Sequence, residues 1–323
     1  MFEDIRQLRY TEDYPTPEIS SKEALVKVHY CGICGSDITN YKTKMYQTPL
    51  IMGHELSGEI VQIGEEIRDF KIGDRVCGIN VKLDISKGEL GGLGIFQDGG
   101  FAEFVKVPEK YLFSIPEGLS YKEAIMIESF ANITRGIKLS EIPKNQSIMI
   151  IGGGNIGLCF LDALLAEKVP ENIVVIEPHE FLRKKAKKFG ATAVFPPNKI
   201  KIKRFFKKTS KPSYIFDCVG KEETLKMAID LIERGGTILL EGIHKGTIDF
   251  PMFLINSKEI GLKGCLGHDR DDILASIELI KNKKIQPSKF ISKVVPLEDI
   301  ENAFKAFLES KEREFIKIAV RIK

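Results

Sequence analysis

The feature that most constrains this chain is a glycine-rich stretch, SIMIIGGGNIG, that joins a strand pattern to a helix pattern. The apolar run from Ile148 to Ile151 is typical of a buried parallel strand. Gly152, Gly154 and Gly157 then have the spacing G-x-G-x-x-G, and the mostly apolar segment 158–165 behind them favours a helix. Strand, glycine turn and helix in this order predict one βαβ unit of a parallel α/β sheet.

The same stretch predicts a dinucleotide site. Glycines at these positions permit the tight turn, let backbone approach a pyrophosphate and let the helix pack closely on the strand. Asn155 and Ile156 open the helix, where unpaired N–H groups and the helix dipole favour an anion. A second apolar run ends at Glu177, whose carboxylate would accept hydrogen bonds from the adenosine ribose and repel a 2′-phosphate. We therefore expect NAD rather than NADP; the alternative is a glycine turn with a purely structural role.

Length and charge narrow the classes of partner. A chain of 323 residues has room for two domains of about 100–200 residues each. The net charge of +3 does not favour a nucleic-acid or membrane partner, and no apolar run approaches the roughly 18 residues of a membrane span. The N-terminal stretch lacks an apolar signal core, so we expect a cytoplasmic protein that acts on a small molecule.

Strand patterns are also found on both sides of the glycine-rich stretch. Residues 1 to about 125 contain short alternating runs with turn residues between them, which predict a β-rich domain or partial barrel. Further strands are predicted at 194–195, 214–219, 236–241 and 261–267, with helices at 225–232, 271–280 and 297–308. Ligands bind at the carboxyl ends of parallel strands, so Val219, Gly242 and Ile243 are candidate cofactor-binding residues.

Four further motifs appear in order: CGICGSD, GHELSGEIVQIGE, FKIGDRVCG and GGFAEFVKVP. Together with the glycine motif, they make the whole chain resemble the zinc-dependent medium-chain dehydrogenases, most closely the sorbitol, threonine and glucose dehydrogenase branch. The resemblance implies an α/β fold: a Rossmann doubly wound parallel sheet plus a discontinuous, β-rich GroES-like catalytic domain. We place the first part of the catalytic domain at 1–126, the NAD-binding domain at 127–267, and the return to the catalytic domain at 268–323.

The resemblance also implies a catalytic zinc ion, with Cys34, His54 and Glu128 as its ligands. Ser129 and Arg135 replace a proline and a histidine of the branch's pattern around the third ligand. Thiolate, imidazole and carboxylate together carry a charge of about −2 and leave the fourth position open for a substrate, as in catalytic zinc sites. Taken singly, each residue has an ordinary interpretation: a buried cysteine, a hydrogen-bonded histidine, and a charge at a helix start.

Three neighbours of these ligands also resemble functional residues of the family. Ser36 corresponds to a hydroxyl of the proton relay, and Asp37 to an acceptor for the His54 ring N–H. Glu55 corresponds to a glutamate that can approach the zinc and exchange with its ligands. Pairing of Glu55 with a nearby cation is an equal alternative.

The remaining cysteines do not predict a second metal. Many relatives carry a structural zinc on four closely spaced cysteines after the GDRV segment, but residues 78–100 contain no cysteine here. We therefore expect one zinc ion per chain and no structural zinc. Cys31 and Cys34 form C-x-x-C, but a zinc knuckle needs a second pair, and a redox dithiol would open a thioredoxin-like helix.

The function implied is hydride transfer between NAD and a secondary alcohol: a polyol, a sugar or a hydroxy amino acid. In this family zinc acts as a Lewis acid on the substrate oxygen. A zinc-free quinone or enoyl reductase on the same scaffold is one alternative, and a non-enzymatic dinucleotide-binding protein is another. The family pairs edge strands of its cofactor domains, so we expect a homodimer or homotetramer.

Overall fold

The computed structural model describes residues 1–80, 92–243, 246–249 and 252–322. The strands are β1 (Phe2–Asp4), β2 (Gln7–Leu8), β3 (Glu23–Gly32), β4 (Glu55–Ile63), β5 (Arg75–Gly78), β6 (Phe104–Pro108), β7 (Leu112–Ser114), β8 (Ser147–Ile151), β9 (Asn172–Ile176), β10 (Ala193–Phe195), β11 (Tyr214–Asp217), β12 (Thr237–Leu240), β13 (Gly261–Gly264), β14 (Ile291–Pro296) and β15 (Lys317–Arg321). The α-helices are α1 (Gly35–Thr43), α2 (Tyr121–Ala124), α3 (Met126–Ser140), α4 (Asn155–Glu167), α5 (Glu180–Phe189), α6 (Lys199–Phe206), α7 (Glu222–Leu231), α8 (Met252–Lys258), α9 (Arg270–Lys281) and α10 (Ile300–Glu309). Short 3₁₀ helices lie at Glu109–Tyr111, Pro287–Lys289 and Leu297–Asp299.

The chain divides into two compact units. The first unit is Met1–Ser129, Gln286–Lys311 and the chain from Phe315 onward; the second is Phe130–Ile285 with Glu312–Glu314. This division differs from the boundary expected after residue 267, because α9 packs with the second unit. Arg135 donates a hydrogen bond to Asp269, 2.8 Å away, and Thr134 donates to the Asp272 carbonyl at the same distance.

The second unit contains a six-stranded parallel sheet in the order β10-β9-β8-β11-β12-β13. Helices α4 to α8 connect successive strands, as parallel pairing requires. Numbered from β8, the order is 3-2-1-4-5-6, which is the Rossmann order. The strand order reverses between β8 and β11, so the predicted dinucleotide turn lies at the switch point where such sheets bind ligands. The Rossmann prediction is confirmed.

The first unit is built around a β-rich sheet with the order β14-β15-β3-β4-β5-β7, and β6 also pairs with β3. All pairings are antiparallel except the one between β14 and β15. Because β14 and β15 come from the end of the chain, this domain is discontinuous, as the family resemblance predicts. Among the described residues, no helix is long and apolar enough to cross a membrane.

An aromatic cluster lies in the core of the first unit. Phe304 on α10 is fully buried and meets Tyr41 and Phe101 edge-on, with ring centroids 5.3 and 6.0 Å apart. Such pairs add about 0.5–1.5 kcal/mol beyond the burial of their apolar area. The cluster therefore fixes the C-terminal helix α10 to the N-terminal part of the unit.

Replacing this central ring tests how much the cluster stabilises the unit. Phe304→Ala removes a buried ring and leaves a cavity, so we expect the free energy of unfolding to fall by about 3–5 kcal/mol. Phe253→Ala is the matched control, because Phe253 is 76% exposed and its loss should change stability by less than about 0.5 kcal/mol. Urea unfolding followed by circular dichroism measures both variants, and equal effects would contradict this account of the core.

Candidate metal and cofactor sites

The predicted metal site begins where β3 ends and α1 starts. Cys34 is the N-cap residue of α1, with extended backbone at φ −89° and ψ 157°. Its backbone N–H donates to Asp37 Oδ2 over 2.9 Å, which holds the buried Asp37 carboxylate in the first turn. The sequence Cys-Gly-Ser-Asp thus presents a thiol, a hydroxyl and a carboxylate from one helix start.

His54, which directly precedes β4, lies against this helix start. Its Nε2 is 3.3 Å from Ser36 Oγ, and its Nδ1 is 3.6 Å from Asp37 Oδ1. Both Nδ1 and Oδ1 are buried and have no hydrogen-bond partner among the described residues. The imidazole therefore presents one nitrogen to the acid and the other to Ser36, an orientation suited to a metal ligand.

Negative charge surrounds His54. Burial is the largest single influence and works against protonation, but Asp37, Cys34 and Glu128 together raise the pKa of His54 well above its ordinary value. Burial also raises the pKa of Asp37, and His54 opposes that shift. Cys34 and Glu128, which are far from His54 in sequence, are thus both brought within electrostatic reach of it in the first unit.

Cys34, His54 and Glu128 are the predicted zinc ligands, and their donor chemistry fits a divalent cation. Glu128 lies in the first turn of α3 and is buried. Within the part of the chain that the structure describes, no group of three His, Cys, Asp or Glu side chains is already arranged to hold a metal ion. The ligand assignment therefore stays a prediction for metal analysis to test.

Ser36 has a neighbour that the sequence did not single out. Tyr46 lies close to Ser36, and burial raises the pKa of the Tyr46 hydroxyl to about 12. The backbone N–H of Tyr46 donates to Asn40 Oδ1 over 2.8 Å, which fixes the loop after α1. Ser36 therefore has a second hydroxyl near it as well as His54.

Glu55 is held by a lysine from the opposite end of the chain. Lys317 Nζ lies 2.6 Å from both carboxylate oxygens of Glu55, and Ser129 Oγ donates to Oε1 over 3.3 Å. Both charged side chains are almost fully buried. Burial works against the ammonium ion, but Glu55, with Cys34 and Glu128, holds the pKa of Lys317 above its ordinary value. In this structure Glu55 therefore pairs with a cation, which is the second of the two interpretations given for it above.

The strand register makes room for that ion pair. Glu55 opposes Gly32 in the β3–β4 ladder, and a Cβ at Gly32 would lie only 2.1 Å from Glu55 Oε2. Gly32 also opposes Ala319 in the β3–β15 ladder, which brings Lys317 alongside. Sequence reasoning missed Lys317, although a lysine within the apolar run FIKIAV is a signal that could have found it.

The predicted cofactor turn lies between β8 and α4. Gly152 has a φ of +96°, which only glycine adopts readily. A Cβ at Gly157 would lie 1.8 Å from the Gly152 carbonyl oxygen, so the third glycine permits the close packing of helix on strand. Gly154 is the N-cap of α4, and Asn155 and Ile156 begin the helix, so their N–H groups are at its start.

Glu177 follows β9 and lies against this turn. Its Oε2 accepts the Gly153 N–H over 2.7 Å, and its Oε1 accepts the His179 N–H over 2.9 Å. The carboxylate is thus fixed beside the turn, where the sequence placed an acceptor for the adenosine ribose. The Gly153 contact is one that the sequence did not predict.

Arg313, which the sequence did not single out, also lies at this turn. It belongs to the short segment Glu312–Glu314 that packs with the second unit. Burial lowers the pKa of Arg313 to about 10, and the Glu177 carboxylate opposes the shift, so the side chain is a cation at neutral pH.

The other candidate cofactor residues end neighbouring strands at the same sheet edge. Ile151, Asp217 and Leu240 are in register across β8, β11 and β12. A Cβ at Gly152 would lie 2.7 Å from Val219 Cγ2, and one at Gly242 would lie 2.3 Å from the Gly220 nitrogen. Ile243, next in the chain, is 58% exposed. The structure therefore brings the turn, Val219 and Gly242 together, while their contact with a cofactor stays a prediction.

The expectation of no structural zinc concerns residues 78–100, of which 81–91 lie outside the described residues.

The buried ion pair generates a stability prediction. Lys317→Met leaves the Glu55 charge without its cation, so we expect the free energy of unfolding to fall by about 3–5 kcal/mol. The double variant Lys317→Met/Glu55→Leu should lose less than Lys317→Met alone, because it leaves no uncompensated buried charge.

Lys184→Ala is the matched control, because Lys184 and Glu180 are also 2.6 Å apart but lie on the exposed side of α5. Its cost should stay below about 0.5 kcal/mol. Urea unfolding compares the variants, and a Lys317→Met effect as small as that of the control would show that the buried pair does not stabilise the fold.

The chain is similar to known proteins over most of its length. Residues 20–117 match the alcohol dehydrogenase GroES-like domain, and residues 155–282 match the zinc-binding dehydrogenase family. The chain is 30% identical to the (R,R)-butanediol dehydrogenase of Bacillus subtilis, over 96% of this chain and 95% of that one. It is 28% identical to the D-xylulose reductase of Saccharomyces cerevisiae, over 89% and 88% of the two chains. An alcohol dehydrogenase of Escherichia coli CFT073, solved in complex with NADH, superimposes with a TM-score of 0.91 at 26% identity, covering 99% of this chain and 97% of the other. The chain therefore belongs to the zinc-dependent medium-chain alcohol and polyol dehydrogenase family.

Proposed function

We propose that this protein transfers a hydride between NAD and a secondary alcohol of the diol or polyol class, with one zinc ion per chain. The observation that carries the proposal is the buried cluster around His54, whose Nδ1 lies 3.6 Å from Asp37 Oδ1 and whose Nε2 lies 3.3 Å from Ser36 Oγ, at the helix start that Cys34 caps. Relatives named as a butanediol dehydrogenase and a xylulose reductase support a substrate with neighbouring oxygens on adjacent carbons.

The residues of the first unit have distinct proposed roles. Cys34 Sγ, His54 Nε2 and the Glu128 carboxylate would hold the zinc ion, and the Asp37 carboxylate would hold the His54 ring in the required tautomer. When bound, zinc supplies Lewis-acid polarisation of the substrate oxygen and lowers the pKa of the alcohol. Ser36 would relay the proton that leaves the substrate hydroxyl, accepting it while passing its own hydroxyl proton on to solvent water.

Glu55 is a candidate for ligand exchange only if its ion pair opens. Both of its carboxylate oxygens are engaged by Lys317 at 2.6 Å. Any approach of Glu55 to the metal would have to break that contact and leave a buried ammonium ion without its carboxylate. We therefore propose that, in the resting protein, Glu55 neutralises Lys317 and does not add a further negative charge to the ligand set.

The preference for NAD is proposed on the placement of Glu177. Two backbone N–H groups fix its carboxylate beside the glycine turn, and the residue is almost fully buried. A fixed carboxylate accepts hydrogen bonds from ribose hydroxyls and repels the 2′-phosphate of NADP.

We also propose a homodimer or homotetramer, as the family resemblance implies. One edge strand available for pairing is β13, which ends the six-stranded sheet of the described residues opposite β10. Its residue Leu262 is 38% exposed.

Metal removal separates the zinc-dependent enzyme from its alternatives. We expect about one zinc ion per chain by elemental analysis, and chelation should abolish diol oxidation while NADH binding survives. Cys34→Ser should lose both metal and activity, because a serine hydroxyl is a poor zinc ligand compared with a thiolate.

Cys31→Ser is the matched control. Cys31 is a buried cysteine whose Sγ contacts the Gly32 carbonyl at 3.8 Å, so its replacement should keep the metal. Full activity in metal-free protein would support a zinc-free reductase instead, and NADH binding without turnover of any alcohol or ketone would support a non-enzymatic protein. Loss of NADH binding on chelation would mean that the metal is structural.

Cofactor preference tests Glu177. We expect Glu177→Ala to lower the ratio of kcat/KM for NAD to that for NADP by at least about tenfold, since a charged hydrogen bond is worth about 1.5–3 kcal/mol. A general loosening of the turn would weaken the binding of both cofactors, so it would leave the ratio of their kcat/KM values unchanged. Glu180→Ala, which removes an exposed acid three residues later, should leave the ratio unchanged. An unaltered ratio in the Glu177 variant would remove the basis for the NAD assignment.

A further inference from the structure

Arg313 reaches the cofactor turn on a three-residue segment of the C-terminal part of the chain. The residues on either side of Glu312–Glu314 belong to the first unit, but these three belong to the second. The Arg313 backbone N–H donates to His179 Nδ1 over 3.4 Å, and Glu312 Oε2 accepts the Glu180 N–H over 3.3 Å. The segment therefore lies on the loop that joins Glu177 to α5.

The guanidinium group lies over the second glycine of the motif. A Cβ built on Gly154 would have Arg313 Nη1 at 3.5 Å, and this is the atom it would meet among the described residues within 4 Å. Gly154 is the N-cap of α4, and the open face of this glycine is where backbone approaches a pyrophosphate in such turns. The Arg313 cation is therefore on the face of the turn that the diphosphate would use.

The charges around the glycine turn indicate what the Arg313 cation does there. The first turn of α4 has no acidic or basic side chain. The nearby Glu177 carboxylate, which the ribose needs, repels a diphosphate. A guanidinium offers several N–H donors in a plane and binds phosphate oxygens in a bidentate manner. At 3.5 Å from the Cβ position of Gly154 and within electrostatic reach of Glu177, the guanidinium offsets this repulsion and adds donors that the backbone alone does not supply.

From this placement we propose that Arg313 is a cofactor-binding residue that donates hydrogen bonds to the diphosphate of the dinucleotide. The inference rests on the proposed use of NAD and goes beyond it, because it assigns a diphosphate contact to the C-terminal segment. Since the diphosphate is common to NAD and NADP, Arg313 contributes affinity, whereas Glu177 contributes the choice between the two.

Direct binding measurements test this assignment. Titration calorimetry gives Kd values for NADH, NADPH and ADP. The chain has no tryptophan whose fluorescence could report binding, so the fluorescence of NADH itself is the second readout for that ligand. We expect Arg313→Ala to raise the Kd for all three by about 10–100-fold, the effect of losing a charged hydrogen bond to phosphate. Arg313→Lys, which keeps the charge but not the planar donors, should recover part of the loss.

Lys311→Ala is the matched control, because it removes an exposed cation two residues away. Its Kd values should stay within about twofold of those of the unmodified protein, as for most surface substitutions. Melting temperatures of all variants show whether the turn remains folded, and Arg313→Lys tests the assignment independently if Arg313→Ala does not fold.

The outcomes separate this inference from the proposed function. Unmodified protein that binds neither NADH nor ADP would overturn both. If the unmodified protein binds NADH and Arg313→Ala and Arg313→Lys bind it equally well, only the Arg313 assignment fails. A loss confined to NADPH would mean that Arg313 contacts a 2′-phosphate, which would also overturn the diphosphate assignment.

Discussion

The register of three antiparallel strands is the constraint on which the predicted metal site depends. Gly32 on β3 opposes Glu55 on β4 and Ala319 on β15, so one position of the central strand aligns the start of β4 with the C-terminal strand. A slip of one residue would turn every side chain to the opposite face of the sheet. Cys34 follows Gly32 by two residues and His54 precedes Glu55 by one, so the same register sets both predicted ligands.

The C-terminal part of the chain supplies one cation to each unit. Lys317 pairs with Glu55 in the first unit, and Arg313 lies near Glu177 in the second. In both cases a buried carboxylate directly beside a core strand has a cation near it that comes from a distant part of the sequence. Two residues near the end of the chain, only four positions apart, therefore each bear on one of the candidate sites.

The local patterns were predictable from the sequence, whereas the long-range pairings were not. The glycine spacing and the apolar runs predicted β8, β9 and the turn between β8 and α4, because those features are set by neighbouring residues. Within the motif GGFAEFVKVP a strand begins only at Phe104, since Gly99 and Gly100 donate instead to the carbonyls of Ile51 and Gly53, just before His54. Lys317 and Arg313 were missed because their partners lie more than 100 residues away, beyond any periodic pattern.

The charges within the first unit explain why a divalent cation suits it. Asp37, Glu55 and Glu128 are buried acids, and Lys317 is the cation that balances one of them. The remaining negative groups face His54, and their effect is to favour a positive charge at the imidazole. A divalent ion held by Cys34, His54 and Glu128 would balance the field of these negative charges more completely than one proton on His54, because it brings two positive charges. The Glu55–Lys317 pair, which removes a fourth acid from that field, is therefore as much a part of the proposed metal site as the ligands are.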